Sequence, residues 1–216
     1  MEAEGPGVGE AGPAKPVPRA RIWCAVPVCN NAATVRGVVE GCLKVLESVV
    51  VVDDGSTDAD VAGLLAGLPV TVLRHDKNRG KGAAILAAGR HAAGHGGAYL
   101  VTIDADGQHA PADIERLIPL ADGRNVVIGC RRFDSPNVPA SSRFGRKFGN
   151  FWLMVQAGVS IDDCQSGLRA YPVSALTGLK FAGRRFDFEA EVLARAVWAG
   201  FNLVSVDVGV WYPPPG

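Results

Sequence analysis

The run Ala98–Tyr99–Leu100–Val101–Thr102–Ile103 stops at Asp104–Ala105–Asp106–Gly107, and no other feature of the chain restricts its fold as strongly. A run that is mostly large and apolar, ended by acids and a glycine, fits a strand buried on both faces, the condition of a parallel sheet covered by helices. Side chains two apart in an extended segment point the same way. Asp104 and Asp106 are therefore expected to converge on one hard cation while Ala105 packs inward. A motif this short also fits an ordinary turn after a strand, with Gly107 reversing the chain.

The same design recurs upstream. Ile22–Trp23–Cys24–Ala25–Val26, closed by Pro27, predicts a first strand over 21–28, and Asn30–Asn31–Ala32–Ala33–Thr34 opens a helix carrying Val35, Val38, Val39, Cys42, Leu43 and Leu46 at helical spacing. Ser48–Val49–Val50–Val51–Val52 predicts a second strand that ends in Asp53–Asp54–Gly55–Ser56–Thr57–Asp58. A strand, helix and strand with acids and glycine at the carboxyl end begin an open parallel sheet, in which ligands sit beyond the carboxyl ends of the strands. Asp58 reads as a helix cap.

A third strand over Val70–Arg74 leads into Asn78–Arg79–Gly80–Lys81–Gly82, followed by helical composition over Ala83–Ala93. Gly80 to Gly82 thus occupy a helix start, where free amides and the helix dipole favour a phosphate. The stretch is not a Walker loop, because His75 and Gly82 stand where glycine and a hydroxyl residue are required. Lys81 reads either as a ligand of such a phosphate or as a solvated surface lysine.

Beyond the central strand, Pro111 suits the first turn of a helix that buries Ile114, Leu117, Ile118 and Leu120. Asn125–Cys130 predicts another strand, which delivers Arg131 and Arg132. Ser141–Val159 combines Arg143, Arg146 and Lys147 with Phe144, Phe148, Phe151, Trp152, Leu153, Met154 and Val155. It fits a helix at a lipid headgroup boundary or a core helix with a basic first turn. Ile161–Tyr171 reads as a compact polar loop running into apolar residues. The last helix begins within Phe186–Glu191, with Asp187 as candidate N-cap, and a final strand covers Leu203–Val210.

Composition supports one α/β domain, since 216 residues at 48% hydrophobic can bury a substantial core. Residues 1–18, rich in Gly, Pro and Ala and without an apolar centre, predict a flexible tail rather than a signal peptide or a span, leaving 19–216 as the domain. Lys plus Arg balance Asp plus Glu at 22 each, which removes any electrostatic reason to expect a nucleic-acid partner. Arg131 to Lys147 nevertheless carries a local cationic excess, suited to an anionic partner. Five cysteines without a C-x-x-C pair fit a reducing compartment. No apolar run approaches the roughly 20 residues of a membrane span, so membrane contact would be at the surface.

Taken together, Pro27 to Asn31, Val52–Asp53–Asp54–Gly55–Ser56, Asn78–Arg79–Gly80–Lys81–Gly82, Asp104–Ala105–Asp106, Asp162 to Arg169 and Phe186 to Glu191 follow the order found in family 2 glycosyltransferases. Over residues 20–212 the chain resembles the branch containing dolichyl- or polyprenyl-phosphate mannose and glucose synthases. Two positions depart from the family pattern, Cys29 in place of an aromatic and Asn31 in place of a Glu, and they bear on how base and ribose are held. Related enzymes often continue past the last strand into membrane-associated segments, whereas this chain stops at Gly216, an end that fits a natural terminus and a truncated one alike.

The resemblance implies a GT-A fold, a mostly parallel sheet flanked by helices, and inverting transfer of a hexose from a UDP- or GDP-sugar to a polyprenyl phosphate. It implies peripheral attachment at the cytoplasmic membrane face. By position, Pro27, Asn30, Asp53 or Asp54, Lys81, Asp104, Ala105, Asp106 and Gln108 would contact the donor, and Asp104 and Asp106 would hold Mg2+ or Mn2+ on its diphosphate. Arg131 with Arg143 or Arg146 would bind the acceptor phosphate. Asp187 and Glu189 fall where relatives with hydroxyl acceptors place catalytic carboxylates. Two other readings remain open: the same donor site serving a sugar or protein hydroxyl, and a nucleotide-sugar-binding module without turnover. Oligomeric state is not legible.

Overall fold

The computed structural model describes residues 15–131, 150, 153–183 and 187–209. Its strands are β1 (Ile22–Val28), β2 (Ser48–Asp53), β3 (Thr71–Arg74), β4 (Tyr99–Thr102), β5 (Asn125–Arg131), β6 (Arg169–Pro172) and β7 (Asn202–Val208). The helices are α1 (Val35–Leu43), α2 (Val61–Leu64), α3 (Lys81–Gly94), α4 (Ile114–Leu117), α5 (Val173–Gly178) and α6 (Asp187–Trp198), and residues 153–157 are also helical. The strands form one sheet in the order β3-β2-β1-β4-β6-β5-β7.

Strand alternation divides the core into two layers. Cys24, Val26, Val49, Val51, Tyr99, Val101 and Val127 face α1, α2 and α4, whereas Ala25, Val50, Val52, Leu100, Val126 and Ile128 face α3, α5 and α6. Both faces are covered, which accounts for the near-continuous valine runs. Strands β1, β2, β3 and β4 are mutually parallel, so their carboxyl ends share one edge.

The sequence reading of residues 161–171 as a loop overlooked β6. This strand of only four residues is inserted antiparallel between β4 and β5, with Arg169 opposite both Thr102 and Ile128. Its length is too short for a periodic signal, and its direction follows from where the chain returns. Arg169, the first residue of β6, lies at the carboxyl end of β4 and opposite the middle of β5, so the strand leaves that edge instead of ending there.

Three further differences have local causes. The helix expected after Pro111 is split into a 3-10 turn (Pro111–Asp113), α4 and a second 3-10 turn (Ile118–Leu120), because Pro119 has no amide hydrogen to continue the ladder. The tail expected through Pro18 is already tied down at Val17, whose N–H donates to the Ala121 carbonyl at 2.7 Å. The last strand closes at Val208 rather than Val210, the latter lying outside the described residues.

Candidate active site

The carboxyl ends of β1, β2 and β4 and the first residue of α3 enclose a cavity of about 450 Å3. It is lined by Pro27, Val28, Cys29, Asn31, Asp54, Asn78, Gly80, Lys81, Asp104, Ala105 and Asp106. Among the expected donor contacts, Pro27, Asp54, Lys81, Asp104, Ala105 and Asp106 meet here. Asn30, Asp53 and Gln108 are not in the lining. Asn30 is the sole non-glycine at positive φ (58°) among the described residues, and its side-chain oxygen accepts the Thr57 amide at 2.9 Å. Asn31, Asn78 and Cys29 take the space instead, with Asn78 Nδ2 donating to Cys29 Sγ at 3.0 Å.

The two acidic strand ends have different environments. Asp53 Oδ1 accepts the Ser56 amide at 2.8 Å and its other oxygen pairs with Arg74. Asp54 Oδ1 accepts the Arg79 amide at 2.9 Å and meets His75 Nδ1 at 2.6 Å, while Oδ2 accepts the Gly80 amide at 2.7 Å. Of the amides expected to favour a phosphate at the start of α3, that of Gly80 is thus taken by the protein's own carboxylate, which complements the helix N-terminus. Gly80 has φ 97°, a conformation suited to glycine, and this turns its N–H toward Asp54.

Asp104 instead faces Lys81, whose Nζ lies 2.6 Å from Asp104 Oδ1 and 2.6 Å from Glu189 Oε1. Lys81 is accordingly neither a solvated surface residue nor an unopposed cation. Burial alone would push its ammonium down, but the charges of Asp104 and Glu189, with hydrogen bonds to both, hold it above its ordinary value. Burial likewise pulls the Asp104 carboxyl up, and Lys81 outweighs it, leaving the carboxyl below its usual range. Ala105 is buried, and its carbonyl accepts Thr34 Oγ1 at 2.5 Å, anchoring the turn between the acids. Asp106 is exposed and caps the Gln108 amide at 2.9 Å.

Two residues at this site, Gly167 and His109, are not singled out individually by the sequence. A Cβ on Gly167 would collide with the Asp104 carboxylate, so only glycine leaves room for that side chain. Its carbonyl accepts Thr102 Oγ1 at 3.1 Å, fastening the loop before β6 to the end of β4. His109 is buried beside the acids, with Nδ1 lacking a hydrogen-bond partner among the described residues, and burial lowers its pKa more than Asp104 and Asp106 raise it.

On the other side of β4, Arg131 Nε and Nη2 donate to the fully buried Asp163 carboxylate at 2.6 and 2.9 Å. A guanidinium gripped in this bidentate way has a fixed orientation. Arg143 and Arg146, expected beside it, lie outside the described residues. Asp187 is exposed at the start of α6, where its Oδ1 accepts the Phe188 amide at 3.2 Å.

An open sheet that presents nucleotide-sized space and two acids at its carboxyl edge defines a class, and sequence comparison identifies it. The chain belongs to glycosyl transferase family 2, whose model matches residues 23–179. It is similar to the polyprenol monophosphomannose synthase of Mycolicibacterium smegmatis, with 31% identity over 218 residues that cover 94% of this chain and 81% of that protein. It is also similar to the UDP-N-acetylglucosamine–dolichyl-phosphate N-acetylglucosaminyltransferase of Methanococcus voltae, at 28% identity over 216 residues, 88% of this chain and 86% of the relative. The crystal structure of glucosyl-3-phosphoglycerate synthase from Mycobacterium tuberculosis, in complex with Mn2+ and UDP-glucose, superposes with a TM-score of 0.69. At 21% identity it covers 91% of this chain and 72% of its own, and shares the fold.

Proposed function

We propose that this glycosyltransferase moves a hexose, with inversion, from a UDP- or GDP-sugar to a polyprenyl phosphate at the cytoplasmic face of a membrane, using a divalent cation. The observation that carries the donor half is the shared cavity: Asp104 and Asp106 border the same space as Pro27, Asp54, Asn78 and Lys81. The acceptor half is supported by the relatives, whose names specify dolichyl and polyprenol phosphates.

Two carboxylates one residue apart at the rim of a cavity offer the hard oxygen donors that Mg2+ or Mn2+ prefers. Among the described residues no group of three or more His, Cys, Asp and Glu forms a closed cage. That fits an ion completed by diphosphate oxygens and water. Asp104 and Asp106 would hold it, and it would supply charge stabilisation to the departing nucleoside diphosphate. Lys81 adds a positive charge to the same cavity.

A phosphate monoester has a second pKa near 6, so at pH 7 the acceptor is already mostly an anionic nucleophile. No proton needs removal, and the chain's task is to hold two anions together with oriented cations. Arg131, steadied by Asp163, is the described residue suited to the acceptor phosphate; its neighbours in the sequence, Arg143 and Arg146, would share that role. No helix among the described residues is long and apolar enough to cross a membrane. Met154 and Val155, exposed at 47% and 55%, support surface contact by the segment that carries those arginines.

The test is a transfer assay with UDP-glucose, UDP-N-acetylglucosamine and GDP-mannose against polyprenyl phosphate in detergent, and against soluble sugar and protein acceptors. The proposal expects a lipid-extractable product from one nucleotide class, with Asp187→Asn within about threefold of wild type, a free-energy change of about 0.7 kcal/mol. Transfer only to soluble hydroxyls, abolished by Asp187→Asn in a folded protein, would replace it with the hydroxyl-acceptor reading.

A further inference from the structure

Lys81 stands between two carboxylates at the same distance, 2.6 Å from Asp104 and 2.6 Å from Glu189, yet only Lys81 and Asp104 line the donor cavity. Its ammonium occupies an oxygen of the carboxylate that the proposed function assigns to a divalent cation. Two cations sharing one carboxylate repel each other, and each weakens the other's hold. A cation arriving at Asp104 therefore has to displace or weaken a half-buried ion pair, unless the ammonium has another partner within reach.

Glu189 is built as that partner. It lies in the first turn of α6, mostly buried, and its backbone is pinned from two directions. Phe188 is fully buried against Gly82 of α3, where a Cβ would approach its ring to 2.5 Å, so the first turns of α3 and α6 touch directly. Arg169 donates to the Glu189 carbonyl at 3.0 Å, to the Ser166 and Cys164 carbonyls at 2.7 and 2.6 Å, and to the Tyr171 hydroxyl at 3.0 Å. A buried guanidinium satisfied entirely by main chain and a phenol acts as a bracket between the loop before β6 and α6. The Glu189 carboxylate meets Lys81 from this anchored backbone and is not among the residues that line the cavity.

Resting on the reading of Asp104 as a metal ligand, we propose that Glu189 is a positioning residue of the donor site: it holds Lys81 while Asp104 is given over to the cation. Glu189, which is not in the cavity lining, acts through the Lys81 ammonium. It keeps the ammonium charged, compensated and at the cavity wall, so that release of Asp104 leaves no buried charge unpaired.

The experiment is an Mn2+ titration of the full chain followed by the electron paramagnetic resonance signal of free Mn2+, with melting temperatures recorded for every variant. Glu189→Gln leaves Lys81 dependent on Asp104 and is expected to raise the Mn2+ Kd about tenfold, the scale of one charge-assisted hydrogen bond. Glu189→Asp keeps the negative charge but shortens the reach, and is expected to weaken Mn2+ similarly. Lys81→Met removes the competitor and is expected to tighten Mn2+ severalfold, and in that background Glu189→Asp is expected to have no effect. Wild-type affinity in Glu189→Asp would mean that only the charge matters, and would overturn the proposal. So would an effect of Glu189→Asp that persists beside Lys81→Met. Wild-type protein that binds no Mn2+, or Asp104→Asn binding it equally well, would instead overturn the metal assignment itself and this inference with it.

Discussion

Two strands of this sheet, β2 and β4, end in pairs of acids at the same edge, and the molecule uses them in opposite ways. Asp53 and Asp54 are buried to 1% and 3% exposure and accept hydrogen bonds from Ser56, Arg79 and Gly80 amides, with Arg74 and His75 completing the shell. Asp104 and Asp106 stay at the cavity with a lysine and a single turn amide as partners. A carboxylate saturated by its own backbone is a structural tie. One held by a movable side chain can exchange that partner for a ligand. Similar sequence signals thus separate according to how many fixed donors the fold brings to each.

Breaking the comparison at β4 has the largest expected effect. Asp104→Ala should lower turnover on the order of 10^3-fold or more, since it removes charge stabilisation at the leaving diphosphate. The melting temperature should move by only a few degrees, because Lys81 keeps Glu189. Breaking it at β2 should act first on the fold, with some loss of turnover because Asp54 also lines the cavity. Asp54→Ala strips the Arg79 and Gly80 amides of their acceptor and should cost about 3–5 kcal/mol, a fall of about 10 °C for a chain of this size. Thermal unfolding of both variants, beside their turnover, checks the pair; equal destabilisation by the two would erase the distinction.

Arg131→Ala should lower acceptor efficiency by roughly one to two decades, the worth of a charge-assisted hydrogen bond of about 1.5–3 kcal/mol. It also strands the buried Asp163 carboxylate, so part of the loss should appear as lowered stability. Measuring kcat/KM against acceptor concentration in Arg131→Ala and Asp163→Asn separates the two contributions.

The smallest expected effect is on pH dependence. Burial lowers the pKa of His109 below its ordinary value near 6.5, so between the folded and unfolded values the unfolded chain binds a proton that the folded one does not. Stability contributed by the neutral imidazole should therefore be complete above about pH 6.5 and fall on acidification below it. Asp104, with its pKa lowered, should add no slope until the pH falls below the ordinary carboxylate range. Denaturant midpoints between pH 5 and 7.5 should show this slope, reduced in His109→Asn.

Much of this arrangement is legible in the chain itself. The valine runs, the acids that end them and the glycine-flanked Lys81 announce a parallel sheet with a site at one edge, because buried strands and helix starts have local signatures. What escapes is non-local. Nothing near Asp54 in the sequence indicates that its carboxylate closes the turn before α3, and Lys81 meets Glu189 across 108 positions. Gly167 reads as an ordinary loop glycine until the Asp104 carboxylate is seen lying where its Cβ would be. Asn30, plausible beside a nucleotide by its position, is spent on holding the Thr57 turn.

We propose a division of roles in which the β4 acids hold a metal–nucleotide complex and the β2 acids hold the fold. It is tested most directly by thermal shift of wild type and Asp104→Asn with UDP, GDP and their sugars, each with Mn2+ or with EDTA. Ligand at a hundredfold excess over its Kd should stabilise the native state by about 2.7 kcal/mol. A shift with one nucleotide class, dependent on Mn2+ and absent in Asp104→Asn, is expected. A shift of equal size in EDTA, or one retained in Asp104→Asn, would contradict it.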